Sequence, residues 1–391
     1  MNTIELNAIA KEFETPTFLF DTEALRKRMG SIKEIVGEKV HLCYSIKANP
    51  FLIPTMLDCV EKLEVCSPGE LCICERLQVP SECIIYSGVS KRECDVKEAI
   101  EYGADVYTAE SLGHVRRLNA EAVKRGVVIP VILRLSAGSQ FGMSKEDLCY
   151  AIEHRDEYKG IVIEGIHYFV GTQRKKLTEQ AAELEMLEAL FAELKETYDY
   201  DVKKLEYGPG LPVPYFSNED FSDTLAPVKE IAPLLQRMAE KVHLTVEMGR
   251  FYVTECGYYL TKVVDQKSNG KTNYAVIDGG MNHLNYLGQM MGMKVPVIHH
   301  LKQGDSTEEC DWCLCGSLCT TADIVVRQVS FTGLEENDIL VFTNVGAYSV
   351  TEGIYLFLSR TMPRIVLRKG EDEYELARDF YETHQLNCPM V

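Results

Sequence analysis

A single lysine follows the first strongly apolar strand pattern of the chain. Lys47 lies in the segment YSIKANP, directly after the apolar run from Val40 to Ile46. A lysine at such a point is ordinarily a solvated surface charge. The apolar residues that precede Lys47 predict partial desolvation of its amine. A desolvated amine loses its proton readily and can form an imine with a carbonyl compound. Lys47 is therefore a candidate nucleophile.

Two later segments combine turn glycines with charged side chains. YGPG contains Gly208 and Gly210, and EMGR contains Glu247 and Arg250. Glycines let backbone N–H groups approach an anion, and a guanidinium can complete a phosphate clamp. An acid in the same place can keep a pyridine nitrogen protonated. With Lys47, these residues indicate pyridoxal 5′-phosphate (PLP). The alternative is that the glycines only form turns and Glu247 pairs locally with Arg250.

These segments all lie at the ends of strand patterns that alternate with amphipathic, helix-like stretches. The candidate strands are 41–46, 63–67, 84–87, 105–109, 130–135, 161–169, 203–207 and 243–248. Eight β/α repeats within about 210 residues predict an α/β fold with a closed (β/α)8 TIM-type barrel. Reactive groups of such barrels emerge at the carboxyl ends of the strands, where Lys47, Glu247 and the glycines fall.

The pattern after Arg250 changes to β-rich runs without intervening helices. Two strands joined by a turn at Asn269–Gly270 begin it, and the runs 323–331, 339–344 and 364–368 continue it. The isolated strand 16–21 is expected to pair with them. The predicted domains are a PLP-binding barrel over residues 25–255 and a β domain formed by 1–24 and 256–391, which contributes to a dimer and to the active site.

Composition excludes several classes of function. The 391 residues carry a formal net charge of −18, which opposes binding to nucleic acid or to an anionic membrane. The N-terminus lacks a signal-peptide pattern and no apolar run reaches about 18 residues, so a cytoplasmic location is expected. The 14 cysteines are expected to be reduced thiols. Spacing alone also allows a zinc site, which would use Cys310, Cys313, Cys315 and Cys319.

Several motifs, in order along the whole chain, resemble those of the fold-type III PLP decarboxylases. This family includes diaminopimelate, ornithine and arginine decarboxylases and is structurally related to alanine racemase. The motifs are YSIKANP, CSPGEL, YGPGLPVPY, EMGR, GSLCTTAD and GAYSVTEG. The resemblance implies an aldimine on Lys47, Glu247 at the pyridine nitrogen, and Arg250 and Tyr348 at the phosphate.

The resemblance also assigns further roles. The family's GSLCTTAD-like segment reaches into the partner subunit's active site, which implies a homodimer with shared sites and makes Cys319 a candidate acid that protonates Cα. Phe169 falls where the family stacks an imidazole on the cofactor, and an aromatic ring can take that place. Pro209 replaces a glycine of the phosphate loop, so Gly208, Gly210 and Thr172 must supply those bonds. Arg134 is a further candidate residue for binding the cofactor.

Departures from the family pattern bear on the substrate. The acid that follows the cysteine in the diamino-acid enzymes is Thr320 here, and an arginine of diaminopimelate decarboxylases is replaced around Asn285 and Tyr286. Thr320, Tyr286 and Cys319 are therefore the candidate substrate-binding residues. A buried ammonium without a carboxylate is costly, so a substrate without a distal ammonium is expected. The pattern is similar to a subgroup that decarboxylates amino acids carried as pantetheine thioesters on an acyl carrier protein.

The implied reaction is loss of carbon dioxide from an amino acid through a quinonoid intermediate. Four alternatives remain open from the sequence: a diaminopimelate decarboxylase, an amino acid racemase, a zinc-binding interaction protein and a non-catalytic PLP-binding protein. Racemases of this fold place an arginine at the pyridine nitrogen, so Glu247 favours decarboxylation. Non-catalytic PLP-binding proteins of the short barrel type lack a C-terminal β domain, so the long β domain of this chain disfavours that alternative.

Overall fold

The computed structural model describes residues 1–286 and 292–390. The chain divides into two compact units. The barrel unit comprises Arg28–Val213 and Asp223–Tyr252. The β unit comprises Met1–Lys27, Pro214–Ser222 and Val253–Val391. Assignment of Pro214–Ser222 to the β unit differs from the sequence expectation, which kept that whole region in the barrel.

Eight parallel strands close the barrel, which confirms the predicted fold class. The first strand of the chain, β1 (Thr17–Asp21), belongs to the β unit. The barrel strands are β2 (Val40–Ser45), β3 (Lys62–Val65), β4 (Ile84–Tyr86), β5 (Val106–Ala109), β6 (Ile129–Arg134), β7 (Ile161–Phe169), β8 (Lys204–Gly208) and β9 (His243–Met248). Each lies within two residues of a predicted strand, because buried parallel strands are short, continuous apolar runs.

Helices alternate with the barrel strands, and others lie near both chain ends. They are α1 (Thr3–Phe13), α2 (Thr22–Val36), α3 (Ile53–Leu57), α4 (Pro68–Arg76), α5 (Glu93–Tyr102), α6 (Leu112–Arg125), α7 (Lys145–Glu153), α8 (Leu177–Tyr198), α9 (Ala226–Ala239), α10 (Arg250–Val253), α11 (Ser349–Glu352) and α12 (His384–Asn387). In α8 the leucines at 184, 187, 190 and 194 are buried, at the spacing of one helix face. No helix among the described residues has the length and apolarity needed to cross a membrane.

Alternate residues of the barrel strands point into the barrel, because strand side chains alternate with a period of two. The apolar part of this interior is a cluster of Cys43, Ile85, Val106 and Ile132. Toward the carboxyl ends of the strands, the inward positions are polar or charged. The barrel core therefore supports a polar site at one end.

The β unit contains a sheet in which β1 lies between β10 and β16. Its further strands are β10 (Gly257–Asn269), β11 (Thr272–Ile277), β12 (Ile298–Leu301), β13 (Glu309–Cys315), β14 (Ile324–Thr332), β15 (Ile339–Thr343), β16 (Arg364–Gly370) and β17 (Glu373–Arg378). The main strand order is β14-β13-β11-β10-β1-β16-β17, with β15 paired to β10 and β12. The predicted pairing of strand 16–21 into this sheet and the hairpin at Gly270, whose φ is +65°, are confirmed.

The sequence analysis did not predict α1, β12 or β13. Helix α1 begins with a capping box, in which Asn2 accepts from the backbone of Glu5 and the Glu5 side chain accepts from the backbone N–H of Asn2. Its buried face packs Leu6 and Ile9 into the core of the β unit. The capping-box residues that indicate the start of α1 were therefore visible in the sequence. Strand β13 has the sequence ECDWCLC, whose acids and cysteines do not indicate a strand; its pairing with β11 and β14 forms it.

One glycine of the barrel wall allows no side chain. A Cβ on Gly165 in β7 would lie 1.9 Å from the carbonyl oxygen of Lys204 in β8. We expect Gly165→Ala to lower the free energy of unfolding by about 2–4 kcal/mol, because either the strand pairing or the backbone must shift. Chemical denaturation measures this. Gly30→Ala, in α2 with no heavy atom within 4 Å of the new Cβ, is the control and should change stability by no more than about 1 kcal/mol. Equal effects would contradict the steric argument.

Candidate active site

Charged side chains meet at the carboxyl end of the barrel strands, and Lys47 is among them. Its Nζ lies 2.7 Å from Oε2 of Glu64 and 3.7 Å from Oε1 of Glu247, and 3.5 Å from Sγ of Cys66. Burial alone would lower the pKa of Lys47, but the nearby carboxylates raise it well above the usual value. The sequence expectation that desolvation would free the amine is therefore wrong for the side chain in this state, because two acids hold its proton.

Glu247 is a buried carboxylate with defined partners. The Ser45 hydroxyl donates to its Oε1 over 2.7 Å, and Nε2 of His167 lies 3.1 Å from its Oε2. Burial would raise the pKa of Glu247, but the charge of Lys47 and the hydrogen bond from His167 hold it well below the usual range. Glu247 is thus ionised at neutral pH, with an exposed fraction of only 6%.

The glycine segment after β8 packs closely against the segment after β7. A Cβ on Gly208 would lie 2.4 Å from Cδ2 of Phe169, and a Cβ on Gly210 would lie 1.8 Å from the carbonyl oxygen of Gly171. Gly210 also has a φ of +63°, which disfavours other residues. The N–H of Arg174 donates to the carbonyl oxygen of Gly210 over 2.9 Å. Neither glycine can therefore carry a side chain, and the two segments pack backbone against backbone beside the ring of Phe169.

Two predicted arginines have partners within the barrel unit. Nε of Arg250 donates to Oγ1 of Thr172 over 3.2 Å, which links the segments after β9 and β7. Arg134, at the end of β6, pairs with Glu110 at 3.0 Å and is largely buried. The structure thus brings Arg250 and Thr172 together, as the phosphate clamp requires. A cofactor contact for Arg134 stays a prediction.

Cys319 and Thr320 lie in a loop of the β unit that Asp323 organises. The Asp323 carboxylate accepts from the N–H of Leu318 and from the N–H of Met281, both over 2.8 Å. A Cβ on Gly316 would lie 2.3 Å from that carboxylate, so the loop needs a glycine there. Cys319 is exposed and Thr320 is partly buried. The carboxylate of Asp323 therefore stabilises the conformation of this loop.

The two predicted tyrosines of the β unit have different settings. Tyr286 is 4% exposed, donates its hydroxyl proton to the carbonyl oxygen of Thr343 over 2.8 Å, and packs its ring against Tyr215 and Phe216. That hydroxyl is thus already used in the core, and a substrate contact stays a prediction. Tyr348 has a φ of +67°, a strained backbone conformation of the kind that occurs at ligand sites.

The cysteines considered for zinc lie along strand β13 and the loop after it. Sγ of Cys313 and Sγ of Cys315 are 3.8 Å apart. Within residues 1–286 and 292–390, no group of three or more His, Cys, Asp or Glu side chains is arranged to hold a metal ion.

Comparison with known proteins decides the family. The model described as the pyridoxal-dependent decarboxylase, pyridoxal binding domain, matches residues 22–254, more than half of the chain. The chain belongs to this family of pyridoxal-dependent decarboxylases. It is therefore a PLP-dependent carboxy-lyase, and PLP is its cofactor.

Named relatives are similar over nearly the whole chain. The L-glutamyl-(BtrI acyl-carrier protein) decarboxylase of Niallia circulans is 25% identical, over 97% of this chain and 94% of the relative. Diaminopimelate decarboxylase of Aquifex aeolicus is 23% identical, over 97% and 93%. The crystal structure of Methanocaldococcus jannaschii diaminopimelate decarboxylase with L-lysine superposes with a TM-score of 0.85 at 24% identity and covers 98% of this chain and 93% of that one.

The barrel residues of this decarboxylase fit PLP. Gly208 and Gly210 pack too closely on Phe169 and Gly171 to carry side chains, so backbone forms the surface of this segment, which suits a phosphate group. An ionised, buried carboxylate such as Glu247 suits the protonated nitrogen of a pyridine ring. Lys47 is the candidate for the amine.

Sequence reasoning missed three inward-facing polar residues of the site. They are Ser45, His167 and Glu206, each on a barrel strand. Their signal was a single polar residue within an otherwise apolar strand, as in GIHYF and KLEYG. Because residues of one face alternate, such positions near a strand's carboxyl end point toward the active site.

A second buried lysine provides a control for the assignment of Lys47. Lys91 is 3% exposed, and burial lowers its pKa to about 8. On ease of deprotonation alone it would be the better nucleophile. Its Nζ, however, donates to the carbonyl oxygens of Ser87 and Gly88 over 2.7 and 2.5 Å, which engages the amine.

We expect Lys47→Ala to abolish the covalent label that borohydride traps from the PLP enzyme, because the imine link forms at this amine. Lys91→Met should keep that label. Mass spectrometry of tryptic peptides after reduction measures both. A label that survives Lys47→Ala, or one that disappears in folded Lys91→Met, would contradict the assignment.

Proposed function

We propose that this enzyme decarboxylates an amino acid without a distal ammonium, carried as a thioester on an acyl carrier protein. The observation that carries the proposal is Thr320, at the position where the resembling diamino-acid enzymes have a carboxylate. The relative from Niallia circulans, named for a glutamyl group on an acyl carrier protein, supports the carrier-linked form. Several other relatives are named diaminopimelate decarboxylases, which makes diaminopimelate the rival substrate.

The charge balance around Thr320 supports the absence of a distal ammonium. A desolvated ammonium without a partner costs about 2 kcal/mol or more. The two acids that are the nearest candidates in sequence have other partners: Asp323 accepts two backbone N–H groups, and Oε2 of Glu352 accepts from the side chain of Asn285 over 2.7 Å. A thioester converts the distal carboxylate into a neutral group, so the substrate has no distal charge that needs a partner in the protein.

The residues of the barrel unit divide the chemistry among them. PLP, when bound, supplies an electron sink for the bond that breaks between Cα and the carboxylate. Glu247 would hold the proton at the pyridine nitrogen, and Phe169 would pack against the ring. The backbone around Gly208 and Gly210, with Arg250, would hold the phosphate. Lys47 would hold the cofactor through its amine, which must first give up the proton that Glu64 and Glu247 stabilise.

Protonation of Cα after carbon dioxide leaves needs an acid, and Lys47 and Cys319 are both candidates for this role. We assign it to Cys319, which is exposed on the β unit, and we propose that Cys319 acts in the active site of a second copy of the chain. The enzyme would then be a homodimer with two shared sites, as in the family it resembles. Exposure of the thiol in a single chain is consistent with a role in another subunit.

A substrate panel tests the substrate proposal. We expect kcat/KM for diaminopimelate, lysine and ornithine to be at least about tenfold below that for glutamyl or other neutral-tailed groups on a carrier thioester, because the ammonium lacks a partner. Carbon dioxide release measures each. Efficient turnover of any of the three diamino acids would refute the substrate proposal and leave the decarboxylase assignment standing.

A gain of function sharpens this test. Thr320→Asp should raise kcat/KM for the diamino acids by about tenfold, because the new carboxylate pairs with the ammonium. Thr351→Asp, which adds the same charge to α11, is the matched control and should not. If both substitutions act equally, the effect comes from net charge and Thr320 has no special position.

Complementation tests the shared site. Lys47→Ala and Cys319→Ala should each be inactive, and a one-to-one mixture should regain about a quarter of wild-type activity, because half of the dimers then hold one intact site of two. Activity is measured after exchange of subunits is verified with tagged chains. Full activity of Cys319→Ala alone would refute its role as the acid, and lack of recovery after exchange would refute sharing.

A further inference from the structure

Glu206 is a buried acid that the proposed reaction does not use. It lies on β8 inside the barrel, with an exposed fraction of 2%. Neither of its carboxyl oxygens has a hydrogen-bond partner among the described residues. The same is true of Nδ1 of His167, which is 1% exposed. Buried polar atoms without partners are rare, and two of them on neighbouring strands are informative.

The register of the barrel places these two residues side by side. His167 on β7 and Glu206 on β8 are direct partners in the parallel ladder. Side chains at paired positions of parallel strands point to the same face of the sheet. Both residues therefore project into the barrel at the same level, and a side-chain rotation would be needed to join their unpartnered atoms in a hydrogen bond.

The tautomer of a neutral His167 ring follows from the partner of its other nitrogen. Nε2 faces Oε2 of Glu247 at 3.1 Å, and an ionised carboxylate only accepts hydrogen bonds. Nε2 must therefore carry a proton. In a neutral imidazole Nδ1 is then an acceptor, and it requires a donor.

The groups around Glu206 make its carboxyl group that donor. Charged or titratable neighbours face it from several strands: Cys43 on β2, Glu64 on β3, Arg134 on β6, His167 on β7 and Glu247 on β9, together with Lys47 after β2. Burial, followed by the charges of Glu247 and Glu64, raises the pKa of Glu206 well above its usual value. A carboxyl group that keeps its proton has one O–H to donate.

We propose that Glu206 is a positioning residue that donates its acid proton to Nδ1 of His167, so that Glu206, His167 and Glu247 form one hydrogen-bonded chain. The chain fixes the tautomer of His167 and keeps Nε2–H directed at Glu247. Glu247 thereby stays ionised toward the pyridine nitrogen, a consequence that rests on the role proposed for Glu247. Outer partners of this kind commonly change activity by about 10–100-fold when removed.

A different environment for Glu206 is the rival. On the amino side of the barrel, a cavity of about 390 Å³ is lined by Glu206, His41, Glu61, Lys62 and His243, among others. If water from this cavity reached the carboxyl group, Glu206 would be ionised. Its oxygens are inaccessible to solvent, which favours the neutral acid.

Infrared spectroscopy of the full-length protein separates the two states. A protonated carboxyl group has a carbonyl stretch apart from the carboxylate bands. We expect that band in the wild type at pH 7, and its reduction in Glu206→Gln. Glu61→Gln is the matched control, because Glu61 lines the same cavity but pairs with Lys33, whose hydrogen bond lowers the pKa of Glu61 against the effect of burial. An unchanged band in Glu206→Gln would overturn the proposal.

Stability against pH gives a second readout with a defined sign. An acid whose folded-state pKa is raised contributes stability that is fully present below its ordinary pKa of 4.5 and is lost as pH rises through the folded-state pKa. Glutamine has no such loss. The melting temperature of Glu206→Gln should therefore rise relative to that of the wild type between about pH 5 and 8. A constant difference over this range would overturn the neutral acid.

Kinetics of the PLP-loaded enzyme test the hydrogen bond itself. Glu206→Gln keeps a donor for Nδ1 and should keep kcat within about threefold, whereas Glu206→Leu should lower kcat by about tenfold or more with little change in KM. Equal kcat values for the two variants would overturn the positioning role. If Glu206→Leu does not fold, the infrared result on Glu206→Gln decides. If no amino acid is decarboxylated by the wild type, the proposed function fails, while the infrared and stability results still test the chain.

Discussion

The carboxyl end of the closed barrel brings together the charged or titratable side chains of Lys47, Glu64, Arg134, His167, Glu206 and Glu247, and their charges must balance there. Glu64 and Glu247 lie within 4 Å of Nζ of Lys47, and Glu206 lies one strand away from Glu247. Because burial penalises every unpaired charge, the groups cannot ionise independently. The balance that results raises the pKa of Lys47, lowers the pKa of Glu247 and raises the pKa of Glu206.

This balance explains why PLP suits the site. In the roles proposed above, Glu247 would provide the negative charge that a protonated pyridine ring needs. The backbone around Gly208 and Gly210 would hold the phosphate without a further buried side-chain charge. The charged side chains and the glycine segment thus lie at the same end of the barrel.

The fold was largely predictable because its signals are local. Each barrel strand is a short apolar run, and Lys47, Glu247 and the glycines follow from the rule that barrels react at strand ends. Strand β13 was not predictable, since its acids and cysteines become a strand only through pairing with β11 and β14. The segment Pro214–Ser222 was assigned to the barrel because nothing in its composition marks a change of unit.

Charge states were not predictable from the sequence, since they depend on neighbours from other strands. Lys47 illustrates this: its own segment indicates a desolvated amine, while Glu64 and Glu247 reverse the direction of the pKa shift. His167 and Glu206 are 39 positions apart in the chain and adjacent only in the barrel. Tyr286 shows the converse, because a residue that falls in a substrate motif has its hydroxyl engaged in the core.

The central claim is that an ionised Glu247 makes the bound cofactor an electron sink. The most direct test is single-turnover release of isotopically labelled carbon dioxide from an α-carboxyl-labelled substrate by the wild type and by Glu247→Gln, both loaded with PLP. The account predicts a rate about 10²-fold or more lower for Glu247→Gln, with the reducible link to Lys47 still formed. An unchanged rate of carbon dioxide release would contradict it.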